Sequence, residues 1–436
     1  PTHLPLCGTP FLRSRLLSAS RASVRANIAP SVRSLTSAEQ LDQTVSFRVY
    51  SGGVDTLLSP TGYTTRNGVL RKIGSHCKLF VDPDEYGGLN ATIGPYAISD
   101  EVLNKIRDNF DNHIYPLMSD YYGLSYDIDG DGKVAIFLSP LVTANFAGFF
   151  DTENFAPSPD SNQRDMVYMW TPDASWYGQE WLDATCETIA HEYQHLGNFC
   201  WRMENQKAAL MSQYGDITER EDGRYWFDHV VNEEVWLDEA LSMGAEIRYR
   251  LTVGSPATEK RFEYYRDYVS KTTLTTFSNK LWEYGCVGLF AHYLYEQGGP
   301  ARIKSLVTSG LQGVANINAA FGNHSNPALQ NFSSIENNWK KAVFAELNRN
   351  RLAGGAWNAI PEYQKYTADF DIDVTSVAHS YGSGFQGSIR AGAMSMFVIE
   401  PSSDYAADAS ALYMQAVGAS GQQTDASIAC TVLRLN

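Results

Sequence analysis

The sequence predicts an α+β protein in which a β-rich N-terminal half precedes a helical half and a small all-β C-terminal domain. Three observations support this expectation. Between residues 41 and 182, short runs of β-branched and aromatic residues alternate with Gly, Pro and Asp, which is typical of strands joined by turns. Between residues 183 and 355, apolar residues recur with helical periodicity. Residues 356–436 return to Gly, Ser and strand-forming residues, which indicates a separate β domain.

The β-rich half contains four predicted strands and one predicted helix. Runs of β-branched and aromatic residues predict the strands at residues 45–50, 77–81, 134–138 and 166–170. Apolar residues recur at every fourth position of residues 100–118, which predicts a helix between the first strands and the later ones.

The helical half contains four predicted helices. Asp183 has the side chain of a good N-terminal cap and is expected to begin the first of them. The others are expected at residues 236–251, 282–297 and 335–348. The helix over residues 282–297 should end at residues 298–300, which read Gly-Gly-Pro.

The beginning of the chain differs in composition from the remainder. Five arginines precede the first acidic residue, Glu39. We interpret residues 1–40 as an Arg- and Ser-rich flexible arm, as the remnant of a leader segment or as a transit-like segment.

The overall composition favours a folded protein and excludes several classes. Of 436 residues, 44 % are hydrophobic and 12 % aromatic, which is enough to build large cores. The net charge of −15 argues against a nucleic-acid or anionic-membrane surface. No run of about 18 apolar residues is present, so we expect no transmembrane segment. The six cysteines lack metal-binding spacing and indicate disulfides or isolated thiols. Their number favours an oxidised, exported protein.

Residues 191–195 read His-Glu-Tyr-Gln-His and carry the strongest functional signal. On a helix, this spacing places His191 and His195 on one face, where both can bind a single zinc ion. Glu192 then stands beside the metal, where it can accept a proton from a zinc-bound water. The alternative is a helix that carries two histidines by coincidence.

A catalytic zinc site needs a third protein ligand. Glu239, within the sequence Trp-Leu-Asp-Glu-Ala-Leu-Ser of residues 236–242, is the best candidate, because two histidines and one glutamate form a known catalytic set. Several other side chains remain rivals for this position: His229, Glu233, Glu234 and Glu246.

These two motifs together resemble the gluzincin metallopeptidases, and most specifically the hyicolysin family of secreted bacterial metalloproteases. Four upstream segments also resemble that family: residues 74–81, 126–134, 147–151 and 162–170. The resemblance covers about residues 45–300 of the chain.

The resemblance implies a thermolysin-like zincin catalytic domain. By this resemblance, His191, His195 and Glu239 bind zinc, and Glu192 is the general base. The chain departs from the thermolysin-like pattern at Met243, where those enzymes carry a carboxylate that orients a zinc-binding histidine. The orienting carboxylate must therefore come from elsewhere, and Asp238 and Glu246 are the candidates.

Tyr284 is the candidate donor to the oxyanion that forms during peptide hydrolysis. Its context, Trp-Glu-Tyr-Gly over residues 282–285, resembles the helix start that supplies this donor in gluzincin aminopeptidases. A donor of this kind contributes on the order of 3 kcal/mol to transition-state stabilisation. The alternative is that Tyr284, one of 25 tyrosines, packs in a core.

Residues 127–134 resemble the first half of an EF-hand calcium loop. Asp127, Asp129 and Asp131 occupy positions 1, 3 and 5, and a glycine occupies position 6. Leu138 occupies position 12 and cannot coordinate, so a calcium ion would need a further carboxylate. An Asp-Gly turn between two strands is the alternative.

Two classes of function follow from these motifs. The leading one is a secreted, extracellular and monomeric zinc endopeptidase that acts on protein or peptide substrates, with Zn²⁺ as cofactor and Ca²⁺ as a candidate second ion. The other is a non-catalytic adhesion or binding protein on the same scaffold, which would have no reason to retain Glu192. A gluzincin aminopeptidase would need a Gly-x-Met-Glu-Asn motif before the zinc helix, whereas Met-Glu-Asn at residues 203–205 follows it.

Overall fold

The computed structural model describes twelve segments of the chain, and every structural statement below refers to these residues: 6–10, 39–50, 63–83, 98–123, 127–140, 146–156, 161–171, 179–215, 226–254, 260–347, 378–380 and 398–400. Within them, the protein consists of a mixed sheet with helices packed against it, which confirms the α+β prediction. The predicted C-terminal β domain falls almost entirely outside the described residues.

Seven strands of the described chain form the main sheet: β1 (Leu6–Cys7), β2 (Thr44–Tyr50), β3 (Tyr63–Ile73), β4 (Cys77–Val81), β5 (Val134–Ser139), β6 (Phe146–Phe150) and β7 (Met166–Trp170). Their spatial order is β1-β6-β7-β5-β4-β3-β2. Strands β4, β5 and β7 run parallel, whereas β2, β3 and β4 pair antiparallel. Two further strands, β8 (Ala378–Ser380) and β9 (Val398–Glu400), pair in parallel with each other.

Both faces of the central strands are buried, which explains their nearly continuous hydrophobic sequences. In β5, Ile136 packs into a core shared with the helices, whereas the neighbouring Phe137 joins an aromatic cluster on the opposite face. All four predicted strands are present with shifts of at most one residue at an end.

Strands β3 and β6 were not predicted. In β3, polar residues and Gly68 break the strand signal. A Cβ atom at Gly68 would lie 2.7 Å from the rings of both Phe47 and Phe137, so that only glycine fits there. The residue that weakens the sequence signal is therefore needed for close packing within the sheet.

The helices of the described chain are α1 (Asp100–Asn109), α2 (Tyr115–Tyr121), α3 (Gln179–Tyr214), α4 (Val235–Val253), α5 (Lys260–Tyr268), α6 (Leu281–Thr308), α7 (Gly313–Phe321) and α8 (Phe332–Leu347). A π-helical turn, Phe110–Ile114, joins α1 to α2. The predicted helix over residues 100–118 is thus confirmed, with a π-helical turn in its middle. The helices α5 and α7 were not predicted.

The prediction that Asp183 caps the long helix is wrong. Helix α3 begins at Gln179, one turn earlier, and the Asp183 carboxylate accepts a hydrogen bond from the Gln179 side chain at 2.6 Å. The helix also continues through Gly197 to Tyr214. It therefore presents residues 191–195 from the middle of a rigid element rather than from a helix end.

The other predicted helices are present with small shifts of their ends. The helix end predicted at residues 298–300 is present as an interruption of α6. Gly299 adopts a non-helical conformation, with φ 67° and ψ 178°. A helical segment then resumes with Pro300 in its first turn, a position that proline favours.

Glycines allow the helices around the long helix to pack closely. A Cβ atom at Gly285 of α6 would lie 2.0 Å from the backbone oxygen of Arg261 in α5. A Cβ atom at Gly244 of α4 would lie 2.4 Å from the ring of Tyr295 in α6. These contacts fix α4, α5 and α6 against one another, which positions the side chains described below.

Five of the six cysteines lie in the described part of the chain, where all five are buried and no disulfide joins any two of them. Cys186 and Cys200 lie on one unbroken helix, too far apart to bond. Cys430 lies outside the described residues. None of the described helices is both long enough and apolar enough to cross a membrane.

Candidate metal centre

Helix α3 carries His191, Glu192 and His195, and all three are buried. Helix α4 crosses it and contributes Glu239, of which only 1 % is exposed. The four side chains predicted from two separate sequence motifs therefore meet at one place.

The separations between the ligand atoms fit a zinc ion. His191 Nε2 and His195 Nε2 lie 3.2 Å apart. Glu239 Oε2 lies 3.4 Å from His191 Nε2, and Glu239 Oε1 lies 3.3 Å from His195 Nε2. Tetrahedral zinc with bonds of about 2.0–2.2 Å places its ligand atoms about 3.3–3.6 Å apart. Both Glu239 oxygens are buried, and within the described structure neither meets hydrogen-bond geometry with any group, so their near neighbours are the two histidine nitrogens. A buried carboxylate placed in this way suits a cation bound between it and the histidines.

The far nitrogen of each histidine faces a carboxylate on α4. His195 Nδ1 lies 2.8 Å from Asp238 Oδ2, and His191 Nδ1 lies 3.4 Å from Glu246 Oε2. A proton held on each Nδ1 by these carboxylates leaves the Nε2 lone pair free to bind a metal. Both candidate orienting carboxylates are therefore used, one for each histidine.

The outer carboxylates are themselves held in place. Asn198, one turn after His195 on α3, donates a hydrogen bond to Asp238. Arg261 and Arg250 both pair with Glu246. Met243, at the position where a thermolysin-like enzyme carries its orienting carboxylate, instead lies with its sulfur 3.2 Å from Arg261.

The electrostatics of this cluster favour a bound cation. Burial lowers the pKa of His191, but Glu239, Glu246 and Glu192 raise it more strongly, to about 10. Burial likewise lowers the pKa of His195, and Asp238 and Glu239 more than offset that effect. Since the surrounding carboxylates stabilise positive charge on both rings, they also stabilise a divalent cation between the rings.

The candidate general base, Glu192, is fully buried beside these ligands. One of its oxygens, Oε2, accepts a hydrogen bond of 2.8 Å from Thr9 Oγ1. Its other oxygen has no hydrogen-bond partner among the described residues.

Cys7 also lies at this centre, which the sequence motifs gave no reason to expect. Its sulfur and ligand atoms of His191, His195 and Glu239 all lie within 4.8 Å of one another. The sulfur is 3.6 Å from His195 Nε2. Neither Cys7 nor Thr9 belongs to a recognisable motif, and only their fold-dependent placement reveals them.

Tyr284 lies near the start of α6 with its ring centroid 6.4 Å from that of His191. Burial raises the pKa of its hydroxyl, and the charge of Glu239 raises it further. The hydroxyl donates a hydrogen bond to Asn279 in this structure. To stabilise an oxyanion, Tyr284 would have to exchange that bond for one to the substrate. Its role as an oxyanion donor therefore remains a prediction.

Three of the four rival ligands are placed elsewhere, and the fourth, Glu246, faces His191 Nδ1. Glu233 accepts hydrogen bonds from Arg202 and from the Gly313 backbone. Glu234 accepts one from the Trp236 indole at 2.6 Å. The His229 ring stacks on Tyr214 with the ring centroids 3.7 Å apart.

Carboxylates also gather at the predicted calcium loop, but the set differs from the predicted one. Oxygens of Asp127, Asp129 and Asp165 lie within 4.8 Å of one another. Asp131, the third predicted ligand, pairs with Lys78 instead. Asp165 immediately precedes β7 and supplies the further carboxylate that the sequence could not identify. Calcium binding itself stays a prediction.

Comparison with known proteins gives one informative relative. The chain is 29 % identical over 257 residues to the neutral metalloprotease ShpI of Staphylococcus hyicus. The alignment includes 55 % of this chain and 52 % of that protein, so the chain spans about half the length of the curated relative it matches. This similarity supports a relationship to metallopeptidases, and the narrower hyicolysin assignment stays a prediction. No family model matches the chain.

Solved structures of an M1 zinc metallopeptidase from Deinococcus radiodurans also match. Two of them are 11 % identical to the chain, with TM-scores of 0.34 and 0.33. Each alignment covers 68 % of this chain. The same alignments cover 61 % of the first metallopeptidase chain and 60 % of the second. A similarity this low carries no argument about the fold or the reaction.

Proposed function

We propose that this protein is a secreted zinc-dependent endopeptidase of the hyicolysin type. The convergence of His191, His195 and Glu239 on one point, with Glu192 beside them, carries the proposal. The likeness to a neutral metalloprotease supports the same class of reaction. Extracellular location and protein or peptide substrates are part of the proposal.

The placement of the residues supports the following roles. His191, His195 and Glu239 would hold the zinc ion, and Asp238 and Glu246 would orient the two histidines. A zinc ion bound there would supply the chemistry of a Lewis acid: it would lower the pKa of a bound water to about 7 and polarise a substrate carbonyl.

Glu192 and Tyr284 then act on the substrate. Glu192 takes the proton of the attacking water and delivers it to the departing amine, since its free oxygen is buried beside the metal ligands. Tyr284 donates its hydroxyl hydrogen to the oxyanion that forms on the former carbonyl.

A non-catalytic adhesion or binding protein is the alternative. Such a protein would have no reason to retain a fully buried glutamate beside two histidines and a third carboxylate. A buried ionisable side chain without a function is costly, so selection would not preserve it.

Metal analysis of purified variants tests the assignment of the ligands. The wild-type chain should hold about one zinc ion, and H191A, H195A and E239A should each lose it. E234A is the matched control, because Glu234 lies on the N-terminal side of the same helix and bonds Trp236. Stoichiometric zinc in a variant that combines H191A and H195A, or zinc loss in the control alone, would overturn the assignment.

A further inference from the structure

Residues 6–10 form the edge of the sheet next to the metal centre. Strand β1 pairs in parallel with β6, with Leu6 opposite Phe146 and Cys7 opposite Gly148. The Gly8 amide donates a hydrogen bond to the Gly148 oxygen at 3.0 Å. A Cβ atom at Gly8 would lie 3.0 Å from Phe149 Cβ, so the segment lies close against β6.

This docking places the Cys7 sulfur beside the three proposed zinc ligands. For tetrahedral zinc with a sulfur bond of about 2.3 Å and a nitrogen bond of about 2.05 Å, the sulfur and nitrogen lie about 3.6 Å apart. The Cys7 sulfur lies 3.6 Å from His195 Nε2. Cys7, His191, His195 and Glu239 thus form a complete four-ligand set within the described chain, with all four residues buried.

The same segment also engages the proposed general base. Thr9, which is fully buried, donates its hydroxyl hydrogen to Glu192 at 2.8 Å. The Phe150 amide of β6 in turn donates to Thr9 Oγ1 at 2.8 Å, which fixes the hydroxyl in that position. Two residues of one short segment therefore contact the two parts of the site that hydrolysis requires: Cys7 contacts the metal ligands, and Thr9 contacts the general base Glu192.

We propose that residues 6–10 are an autoinhibitory segment in which Cys7 is the fourth ligand of the zinc ion. This inference rests on the proposed function. A catalytic zinc site needs one position open for water, whereas four protein ligands are characteristic of closed, structural sites. With the segment docked, the site is closed and Glu192 is engaged by Thr9.

The ligand exchange is balanced without an oxidant or reductant. On docking, the Cys7 thiol gives its proton to solvent and its sulfur binds the metal as a thiolate, displacing a water molecule. On release, a water molecule takes the vacated position and the thiolate regains a proton from solvent. Glu192 simultaneously loses the hydrogen bond from Thr9 and becomes available to that water.

Cobalt substitution tests this ligation independently of activity. Cobalt occupies zinc sites, and a thiolate ligand gives it a charge-transfer absorption that nitrogen and oxygen ligands do not. The full-length wild-type chain and the control C77A, whose cysteine lies in β4, should show that absorption. C7A should bind about one cobalt ion without it, as three protein ligands suffice for a catalytic site.

Activity of the zinc forms provides the second measurement. C7A should hydrolyse peptides about tenfold faster than wild type or more, because it removes a competing ligand held at high effective concentration. G8V, which should push the segment away from β6 while keeping the thiol, should lower the charge-transfer absorption and raise activity in the same direction.

The outcomes separate the two proposals. Stoichiometric cobalt without a thiolate absorption in the wild-type chain would overturn the inference and leave the zinc peptidase proposal standing. Thiolate absorption that persists in C7A would also overturn it. A wild-type chain that binds no cobalt would refute the metal site and both proposals with it.

Discussion

Asp238 Oδ2 lies 2.8 Å from His195 Nδ1, although Asp238 is the residue directly before Glu239, the proposed ligand. One turn of α4 thus supplies both a metal ligand and the carboxylate that orients a second ligand from α3. Asn198 of α3 holds the other oxygen of Asp238, which links the two helices through the site. The contacts that orient the proposed zinc ligands are therefore also contacts that hold α3 against α4.

This arrangement predicts that D238N weakens zinc binding about 10- to 100-fold, since an amide cannot hold the Nδ1 proton of His195 as a carboxylate does. Competition with a chelator of known affinity measures the change. The matched control is E234Q, which neutralises a carboxylate one turn earlier, at the N-cap position of the same helix. Equal zinc affinity in D238N and wild type would show that Asp238 has no role in orienting His195.

Tyr284 should stabilise the transition state rather than the fold. Y284F removes only the hydroxyl and should lower kcat by roughly ten- to a thousandfold, with little change in KM. The measurement is best made in a C7A background, so that closure of the site does not mask the effect. N279A is an informative companion, because it removes the present hydrogen-bond partner of Tyr284 without removing the hydroxyl. An unchanged kcat with a lowered Tm in Y284F would assign Tyr284 to the core instead.

Calcium should stabilise the loop before β5. Burial and the charge of Asp131 raise the pKa of Asp129 to about 6, and Asp165 carries a buried oxygen that has no hydrogen-bond partner in the described structure. A divalent cation would offset this repulsion and raise Tm by a few degrees at saturating calcium.

Two variants identify the calcium ligands. D165N should abolish the calcium-dependent rise in Tm, whereas D131N should retain it, because Asp131 pairs with Lys78 rather than with the acidic cluster. The opposite pattern would support the EF-hand-like set predicted from the sequence. No response to calcium in the wild-type chain would reduce the loop to an Asp-Gly turn.

His292 should make the metal-free protein sensitive to acid. Burial, aided by the charge of Arg248, lowers the pKa of His292 from 6.5 to about 3. Between those two values the unfolded chain binds a proton that the folded chain does not, so stability falls as pH falls through that window. The loss is about 2 to 3 kcal/mol between pH 7 and pH 4.5.

Denaturant unfolding of the metal-free protein at several pH values measures this contribution. H292Q should show a shallower loss of stability in acid than wild type. H324Q is the matched control, because His324 is only partly buried. A pH dependence that is identical in H292Q and wild type would contradict the assignment.

Much of the fold and of the site could be predicted from the sequence, for identifiable physical reasons. Helical spacing predicts that His191 and His195 share one face of a helix, with Glu192 next to them. Hydrophobic periodicity predicts most of the buried strands and helices of the fold. Strand β3 escaped prediction because Gly68 meets a local packing need that weakens the strand pattern. Helix α3 begins earlier than its apparent cap, since tertiary contacts override the preference of a single residue.

The residues that close the site could not be predicted, because their roles depend on contacts between distant segments. Cys7 and Asp165 each complete a cluster whose other members lie far away in the sequence or on another element. Asn198 acts through Asp238 on another helix. Local sequence patterns predict single helices and strands. The contacts named here form only when the sheet and the helices have assembled.

If Glu192 is the proton acceptor of a zinc peptidase, E192Q should separate metal binding from catalysis. Peptidase activity and zinc content of E192Q should be measured together, in the wild-type and the C7A backgrounds, with E234Q as the matched carboxylate-to-amide control. E192Q should retain about one zinc ion per chain and an unchanged Tm, while kcat/KM falls about a hundredfold to ten-thousandfold. A zinc-loaded E192Q protein with activity close to that of its parent would contradict the account.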